Sequence, residues 1–352
     1  MVSVTARSGA GIGVLNRNRP HGTYAGEPSP SETPAYVSDP KRTANREEPM
    51  DFLRPARWEE ALAAKAEHPT AVPIAGGTDV MVEINFDQRR PAQLLDLNRV
   101  TELHEWEAGE EDVALGACVP YARIIENLRR ELPGLALAAH TVGSPQIRNR
   151  GSVGGNLGAA SPAGDSHPPL LTAGAEIEAE SVRGSRRIPV EEFFTGVKRN
   201  VLADDELIKR VHIKKASGPQ QFSKIGTRNA MVIAVCGFSV ALHPERRSVR
   251  AAVGSAAPTP FRASAAEDFL NAAMAEEGLW ESGKALPPSV TRRFAELCSG
   301  ACNPIDDVRG SAAYRRHAVG VMARRTLGWV WDSYRGSGAG GAGTDEGGAR
   351  CA

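Results

Sequence analysis

SPQIRNRGSVGGNLGAASPAGD, residues Ser144 to Asp165, has the composition of a ligand-binding loop. It combines a cationic run ending at Arg150, a glycine pair at Gly154 and Gly155, and a carboxylate, Asp165. Because glycine has no Cβ, successive backbone N–H groups can point at one anion and approach it closely. We expect Gly155 to have a positive φ and no room for a side chain. A glycine pair alone is more typical of a plain turn between strands, so this interpretation needs a second signal.

PIAGGTDV, residues Pro73 to Val80, supplies that second signal. A short apolar run again meets two glycines, followed by a hydroxyl and an acid. Two such loops can hold a long phosphate-bearing ligand from both sides, and an acidic residue nearby can accept hydrogen bonds from sugar hydroxyls. The candidate ligand-binding residues are Pro73, Ile74, Ala75, Gly76, Gly77, Thr78, Asp79, Val80, Ser152, Val153, Gly154, Gly155, Asn156 and Asp165.

The charge balance argues against several classes of function. The 352 residues include 42 Lys and Arg against 42 Asp and Glu, so no net field attracts nucleic acid or an anionic membrane.

The longest apolar run, Met231 to Leu242, is too short to span a bilayer. The N-terminus lacks the charged, apolar and small-residue succession of a signal peptide. We therefore expect a cytoplasmic protein that acts in small-molecule chemistry.

The five cysteines predict neither a disulfide framework nor a metal site. They are scattered, and only Cys298 and Cys302 are close in sequence. Their spacing would place both on one helix face, but two further ligands at matching spacing are missing. Small buried cysteines are common in protein cores. We expect a reducing compartment and no metal bound by this chain.

The pattern of segments predicts ordered domains between two polar ends. Residues 1–49 lack apolar periodicity, which predicts disorder, and their GAGIG stretch follows no strand and so does not indicate a nucleotide fingerprint. The glycine-rich residues 335–352 predict a flexible tail. The segments between alternate short strands and helices, with strands followed by helices in the last third, which is typical of an α+β fold.

Periodicity and turn residues predict the main elements. The predicted helices are Trp58–Glu67, Tyr121–Glu131 (ended by Pro133), Pro168–Ala173, Ser264–Glu276, Ser289–Ser299 and Ser311–Trp331. The predicted strands are Ala71–Ile74, Leu94–Leu97, a run from Val113, Glu176–Ser181, Phe222–Gly226, Met231–Leu242 and a run from Val249.

Several motifs, in order, resemble the FAD-binding medium subunits of the molybdenum hydroxylases, the xanthine dehydrogenase and aerobic CO dehydrogenase group. The resemblance runs from about Met50 to Arg335. The motifs that carry it are MDFLRPARWEEAL at Met50, IAGGTD at Ile74, LLDLNRV at Leu94, the SPQIRNRGSVGGN loop, IPVEEFFTGVKRNVLADDELI at Ile188, GSAAPTPFRA at Gly254 and DDVRGSAAYRRHAV at Asp306.

The resemblance implies an α+β fold with FAD as cofactor. A two-lobed FAD-binding domain of the vanillyl-alcohol-oxidase or PCMH type would occupy residues 50–217, with a small lobe at 50–106 and a large lobe at 107–217. A C-terminal domain with a three-stranded antiparallel sheet and a helical bundle would occupy residues 218–334.

The resemblance also implies roles for single residues. The backbone of the two glycine loops would hold the FAD pyrophosphate, Asp165 the sugar hydroxyls, and Ile208 would form an apolar wall beside the flavin. Lys224 aligns with a family lysine near the flavin ring, where a cation favours negative charge on the reduced flavin. A solvated strand lysine is the alternative interpretation. For Arg148 and Arg150, phosphate binding and contact with a partner subunit both stay open.

The function implied is that of an oxidoreductase subunit in electron transfer. Its partners would be a molybdopterin-binding large subunit and a 2Fe–2S small subunit, forming a heterotrimer whose further dimerisation stays open. Electrons from the 2Fe–2S clusters would pass through this subunit to NAD or another acceptor. Xanthine dehydrogenase is the preferred interpretation. The alternatives are the medium subunit of CO dehydrogenase, that of an aldehyde or N-heterocycle hydroxylase, a self-contained flavin oxidase and a non-catalytic scaffold.

Deletion of residues 1–49 is expected to leave thermal stability and FAD content unchanged, because this segment has no core-forming pattern. Thermal denaturation and the flavin absorbance per mole of protein measure the two quantities. A truncated protein that loses FAD would contradict the expectation.

Overall fold

A computed structural model describes residues 50–337 of the chain. The predicted N-terminal extension with its GAGIG stretch, and the tail beyond residue 337, lie outside the described residues. In chain order, the described part forms a small lobe, a large lobe and a C-terminal domain, each of which combines strands and helices. The α+β fold implied by the resemblance is confirmed.

The small lobe is built on a parallel sheet. Its elements are β1 (Asp51–Leu53), α1 (Trp58–Glu67), β2 (Val72–Ile74), α2 (Val80–Asn85) and β3 (Gln93–Asp96). The strand order is β1-β3-β2, and both pairs are parallel. Helix α1 has its predicted bounds and buries Trp58, Ala61 and Leu62 on one face. Because neighbouring parallel strands end at the same edge, the loops that follow β2 and β3 lie side by side.

The large lobe is built on an antiparallel sheet with the strand order β4-β5-β10-β6-β7. Strand β6 has its predicted bounds, and its side chains alternate, with Ile177 and Ala179 facing the core. The elements of the lobe are β4 (Trp106–Ala108), β5 (Asp112–Gly116), α3 (Tyr121–Asn127), α4 (Pro133–Thr141), α5 (Pro145–Arg148), α6 (Val153–Ala159), α7 (His167–Ala173), β6 (Glu176–Ser181), β7 (Gly184–Pro189), α8 (Val190–Phe193), β8 (Phe194–Gly196), β9 (Arg199–Asn200) and β10 (Leu207–Lys214).

Pro133 begins a helix instead of ending one. The predicted helix Tyr121–Glu131 stops at Asn127, and the unpredicted helix α4 starts at Pro133. Proline is well suited to a first helical turn, since the N–H groups there have no intrahelical acceptor. Helix α4 ends at Thr141 and carries that residue to the large lobe's border with the C-terminal domain.

The C-terminal domain has four antiparallel strands in the order β11-β12-β13-β14, one more than predicted. Strand β12 starts at Cys236 rather than at the predicted Met231, whose φ of 51° interrupts the extended chain. Helix α9 has its predicted bounds, and α12 continues past Trp331 to Gly336. The elements are β11 (Gln220–Ile225), β12 (Cys236–His243), β13 (Ser248–Gly254), β14 (Phe261–Arg262), α9 (Ser264–Glu276), α10 (Leu279–Ser282), α11 (Pro288–Gly300) and α12 (Ala312–Gly336).

Cys298 and Cys302 are both buried, and the Cys302 thiol donates to the Cys298 carbonyl at 3.3 Å. Burial raises the pKa of the Cys302 thiol to about 11, so it stays protonated at neutral pH. No three His, Cys, Asp or Glu side chains between residues 50 and 337 are placed to hold a metal ion. In the same part of the chain, no helix is long and apolar enough to cross a bilayer.

Candidate functional site

The two glycine loops meet at Gly76. A Cβ on Gly76 would overlap the carbonyl oxygen of Arg150, so only glycine fits at this contact. The next residue, Gly77, has a φ of +74°, which glycine adopts without strain. The loops that the sequence places more than sixty residues apart are therefore in backbone contact.

Four consecutive backbone N–H groups, those of Gly76 to Asp79, donate to no acceptor within residues 50–337. They lie between the end of β2 and the start of α2, and all four residues are half-buried or exposed. Consecutive unpaired N–H groups around a left-handed residue form a concave site for anions. The first loop therefore fits a phosphate group.

The second loop differs from the expectation because its glycine pair lies in a helix. The Ser152 hydroxyl caps α6 by accepting a hydrogen bond from the Gly155 N–H at 3.1 Å, and the Gly154 N–H donates to the Ala117 carbonyl at 3.2 Å. Gly155 has no positive φ, and a Cβ there would meet only the Ser152 hydroxyl, at 3.3 Å. The prediction of a strained Gly155 is wrong. Gly154 is the tight position, since a Cβ there would overlap Ala117.

Asn98, in the loop after β3, joins the two glycine loops. Its Nδ2 donates to the Ala75 carbonyl at 2.7 Å, and its Oδ1 accepts from the Arg150 guanidinium at 3.0 Å. The buried Asp96 carboxylate orients the amide by accepting from Nδ2 at 2.6 Å and from the Asn98 N–H at 3.0 Å. The sequence marks Asn98 only as a polar residue after a predicted strand, and the pairing of that strand with β2 places it between the loops.

Arg148 fixes the chain that enters the second loop. Its guanidinium donates to the carbonyls of His140, Val142 and Gly143 at 3.1 to 3.3 Å. Both Arg148 and Arg150 thus have acceptors inside the protein. Their geometry accounts for the shape of the loop without a phosphate or a partner subunit.

Asn156, in α6, is held by a buried polar network. Its Oδ1 accepts from the Ser166 hydroxyl at 2.6 Å, and Ser166 in turn accepts from the Tyr121 hydroxyl at 3.3 Å. The His167 Nε2 lies 3.3 Å from the Asn156 carbonyl, to which it can donate. Burial lowers the pKa of His167 to about 4, so the ring is neutral at physiological pH. Sequence reasoning missed these three supporting residues, which no motif marks.

Asp165 and Lys224 form a buried ion pair between the large lobe and strand β11. Their Nζ and Oδ2 atoms are 2.5 Å apart, and both side chains are more than nine-tenths buried. Thr141 completes the cluster by donating its hydroxyl to Asp165 at 2.9 Å and accepting from Lys224 at its carbonyl at 3.0 Å. Burial raises the pKa of Asp165, while the charge of Lys224 acts in the opposite direction. Lys224 is therefore not a solvated strand lysine.

The second oxygen of Asp165, Oδ1, has no hydrogen-bond donor within the described residues. A buried carboxylate oxygen without a donor is costly, so a ligand hydroxyl at this position would be favourable. The role expected from the sequence, acceptance of hydrogen bonds from sugar hydroxyls, stays a prediction.

Ile208 lies on β10, against which α6 packs, at an irregularity in the register of the strand. It belongs to the core of the large lobe and is 8% exposed. Only an edge of the side chain is therefore available as an apolar wall for a ligand.

Two family models match the chain. The model described as FAD binding domain in molybdopterin dehydrogenase matches residues 48–215, and the model described as CO dehydrogenase flavoprotein C-terminal domain matches residues 221–330. Together they cover both lobes and the domain that follows.

Named relatives and solved structures agree with these models. A putative xanthine dehydrogenase FAD-binding subunit of Escherichia coli strain K12 is 30% identical over 287 residues, which cover 78% of this chain and 94% of the relative. A nicotinate dehydrogenase FAD-subunit of Eubacterium barkeri is 35% identical over 202 residues, 55% of this chain and 68% of the relative. A structure of carbon monoxide dehydrogenase from Hydrogenophaga pseudoflava superposes with a TM-score of 0.73 at 27% identity, covering 81% of this chain and 98% of that one.

Gly76→Ala is expected to abolish FAD retention, because the added Cβ overlaps the Arg150 carbonyl and forces the loops apart. Gly155→Ala is the matched control and should retain FAD, since its Cβ meets only a side-chain oxygen. Flavin absorbance after purification gives the result, and circular dichroism verifies that both variants fold. Normal flavin content in Gly76→Ala would show that FAD binding does not depend on the contact between the loops.

Proposed function

The chain belongs to the family of FAD-binding subunits of the molybdenum hydroxylases, and on that basis we propose that it is the FAD-carrying subunit of a xanthine dehydrogenase. Family membership makes it an oxidoreductase subunit with FAD as its cofactor. The assignment to xanthine dehydrogenase is supported by the Escherichia coli relative, because the match covers 94% of that relative's length. The alternative substrates remain CO, an aldehyde or an N-heterocycle such as nicotinate, which appears in the name of another relative.

One observation carries the proposed cofactor site: a row of N–H groups with no acceptor among residues 50–337, beside a contact that admits only glycine. In this proposal the N–H groups of Gly76 to Asp79 bind the FAD pyrophosphate. Residues 152–156 shape the opposite wall, with Asn156 fixed by its buried network. Asp165 accepts from sugar hydroxyls through its free Oδ1, and Ile208 contributes an apolar edge. When bound, FAD supplies the redox chemistry, and the chain's own residues bind and orient it.

The proposed partners are a molybdopterin-binding large subunit and a 2Fe–2S small subunit. Several relatives carry names that include medium chain or medium subunit, as does the carbon monoxide dehydrogenase relative of Hydrogenophaga pseudoflava. A heterotrimer with NAD as electron acceptor, located in the cytoplasm, completes the proposal. A self-contained flavin oxidase is disfavoured, because relatives that the chain covers almost completely are named as subunits.

Purification of the tagged chain from its native cells tests this function. A larger subunit with molybdopterin and a smaller one with 2Fe–2S clusters should co-purify, and the complex should reduce NAD when supplied with xanthine. The rate of NADH formation is compared with the rates for CO, an aldehyde and nicotinate. A faster reaction with one of those substrates would replace xanthine by the alternative, and substrate oxidation by the isolated chain would favour the self-contained oxidase.

The proposed tuning of the flavin by Lys224 needs a pair of variants, because Asp165 neutralises the lysine in the native protein. The single variant Asp165→Asn leaves the Lys224 ammonium without a counter-ion. The double variant, Asp165→Asn with Lys224→Met, removes both charges and loses the same contact with the sugar. If the ammonium acts on the ring, the two-electron potential should be higher in the single variant by on the order of tens of millivolts. A redox titration of the two variants measures the difference. Equal potentials would restrict Lys224 to a structural role.

A further inference from the structure

A second cleft, of about 750 Å³, lies where the large lobe meets the C-terminal sheet. Its walls come from the end of α7, the start of β6, the chain after β10 and the β12–β13 hairpin. None of its lining residues belongs to the glycine loops or to the Asp165–Lys224 pair. Its volume is within the range of small-molecule sites.

Arg250 lines this cleft from β13, where it is half-buried. No hydrogen bond or ion pair joins its guanidinium to any residue between 50 and 337. Its neighbour Arg262, in contrast, is bound by the carboxylates of Glu267 and Glu191. Burial, and then the charge of Arg262, lowers the pKa of Arg250, whereas the carboxylates of Glu191 and Glu267 raise it. The protein thus desolvates this cation and brings a like charge near it.

The backbone is shaped to admit this side chain. Gly174, which ends α7, has a φ of +64°, and a Cβ there would overlap the Arg250 guanidinium. His243 also faces the cleft, and its Nε2 lies 3.2 Å from the Thr172 carbonyl. Burial, followed by the charge of Arg250, lowers the pKa of His243 to about 4, so its ring is neutral and adds no charge.

Two exposed cations, Arg246 and Lys214, line the same cleft and have no ion pair with any described residue. Glu191, the lining carboxylate that acts on Arg250, offsets its charge only in part, because burial and Arg262 outweigh it. Glu176 and Glu191 are paired with arginines outside the lining. The remaining acids are exposed, so screening by water and salt weakens their effect on the floor: Glu110, Glu111 and Glu245.

We propose that this cleft binds a phosphate group, with Arg250 as the forked donor at its floor and Arg246 and Lys214 as cations at its rim. A guanidinium presents parallel N–H donors that match two oxygens of a phosphate, and a doubly charged anion suits several unpaired cations better than a single carboxylate does. The phosphate belongs either to the free ion or to a small phosphate ester.

A purely structural role for Arg250 is the competing explanation. Its cation lies near the C-terminus of α7, where a positive charge is favoured by the helix dipole. None of the carbonyls in that turn accepts a hydrogen bond from it, however. The structural role predicts that loss of Arg250 lowers stability equally with and without phosphate.

The test uses the full chain saturated with FAD, so that the glycine loops are already filled. Equilibrium dialysis against labelled inorganic phosphate, at constant ionic strength, measures binding in the wild type and in Arg250→Gln. Arg247→Gln is the matched control, since Arg247 lies on the same hairpin, outside the cleft, and is paired with Glu281. We expect saturable binding in the wild type and in the control, weakened at least about tenfold in Arg250→Gln.

A second variant keeps the test decisive if Arg250→Gln does not fold. Arg246→Gln changes an exposed side chain, and we expect it to weaken phosphate binding in the same direction by a smaller factor. Competition with AMP separates the two sources: tighter binding of AMP indicates a phosphate ester, and equal or weaker binding indicates the free ion. Wild-type protein that binds no phosphate, or folded Arg250→Gln and Arg246→Gln variants that both bind it as well as the control, would overturn the proposal.

Discussion

The backbone contact between Gly76 and the Arg150 carbonyl is the constraint on which the proposed cofactor site depends. Two chain segments can approach this closely only where one has no side chain, and the N–H groups of Gly76 to Asp79 have no acceptor among residues 50–337. The parallel pairing of β2 with β3 brings Asn98 beside the contact, where its amide bonds both loops. Each of these hydrogen bonds contributes about 1 kcal/mol, so the bonds fix the loops before a ligand binds only by acting together.

The Asp165–Lys224 pair imposes a different kind of constraint. A buried pair adds little stability compared with apolar packing, but removal of one partner costs about 3–5 kcal/mol because the other charge is left buried. Since Lys224 is on β11 and Asp165 precedes α7, the pair fixes the large lobe against the C-terminal sheet. Lys224 and Thr141 both hold Oδ2, which leaves Oδ1 as an oriented, desolvated acceptor. Stability of the junction and preparation of the site thus depend on the same three side chains.

The sequence predicted what depends on local patterns and missed what depends on distant contacts. Helices α1 and α9 follow from apolar spacing and were predicted to the residue. Pro133 was misinterpreted because a proline can either follow the end of one helix or begin the next, and here it begins α4. The glycine pair at 154–155 was assigned the wrong conformation because a glycine motif does not reveal whether it lies in a loop or a first helical turn. Asn98 was missed since only the pairing of β2 and β3 places it between the loops.

Arg250 and the N–H row of Gly76 to Asp79 would bind their proposed anions in two different ways. The N–H groups carry no net charge, so leaving them without a ligand costs little free energy. Their hydrogen bonds to an anion stabilise most when the ligand excludes water. Arg250 carries a full charge that burial and Arg262 both disfavour, so an anion there relieves a cost already present in the free protein. On this argument, phosphate binding at Arg250 should stabilise the junction between the large lobe and the C-terminal domain even when FAD is already bound, because Gly174 and β13 come from opposite sides of it. The two sites would then differ in purpose, one holding the cofactor of the reaction and the other holding the domains together.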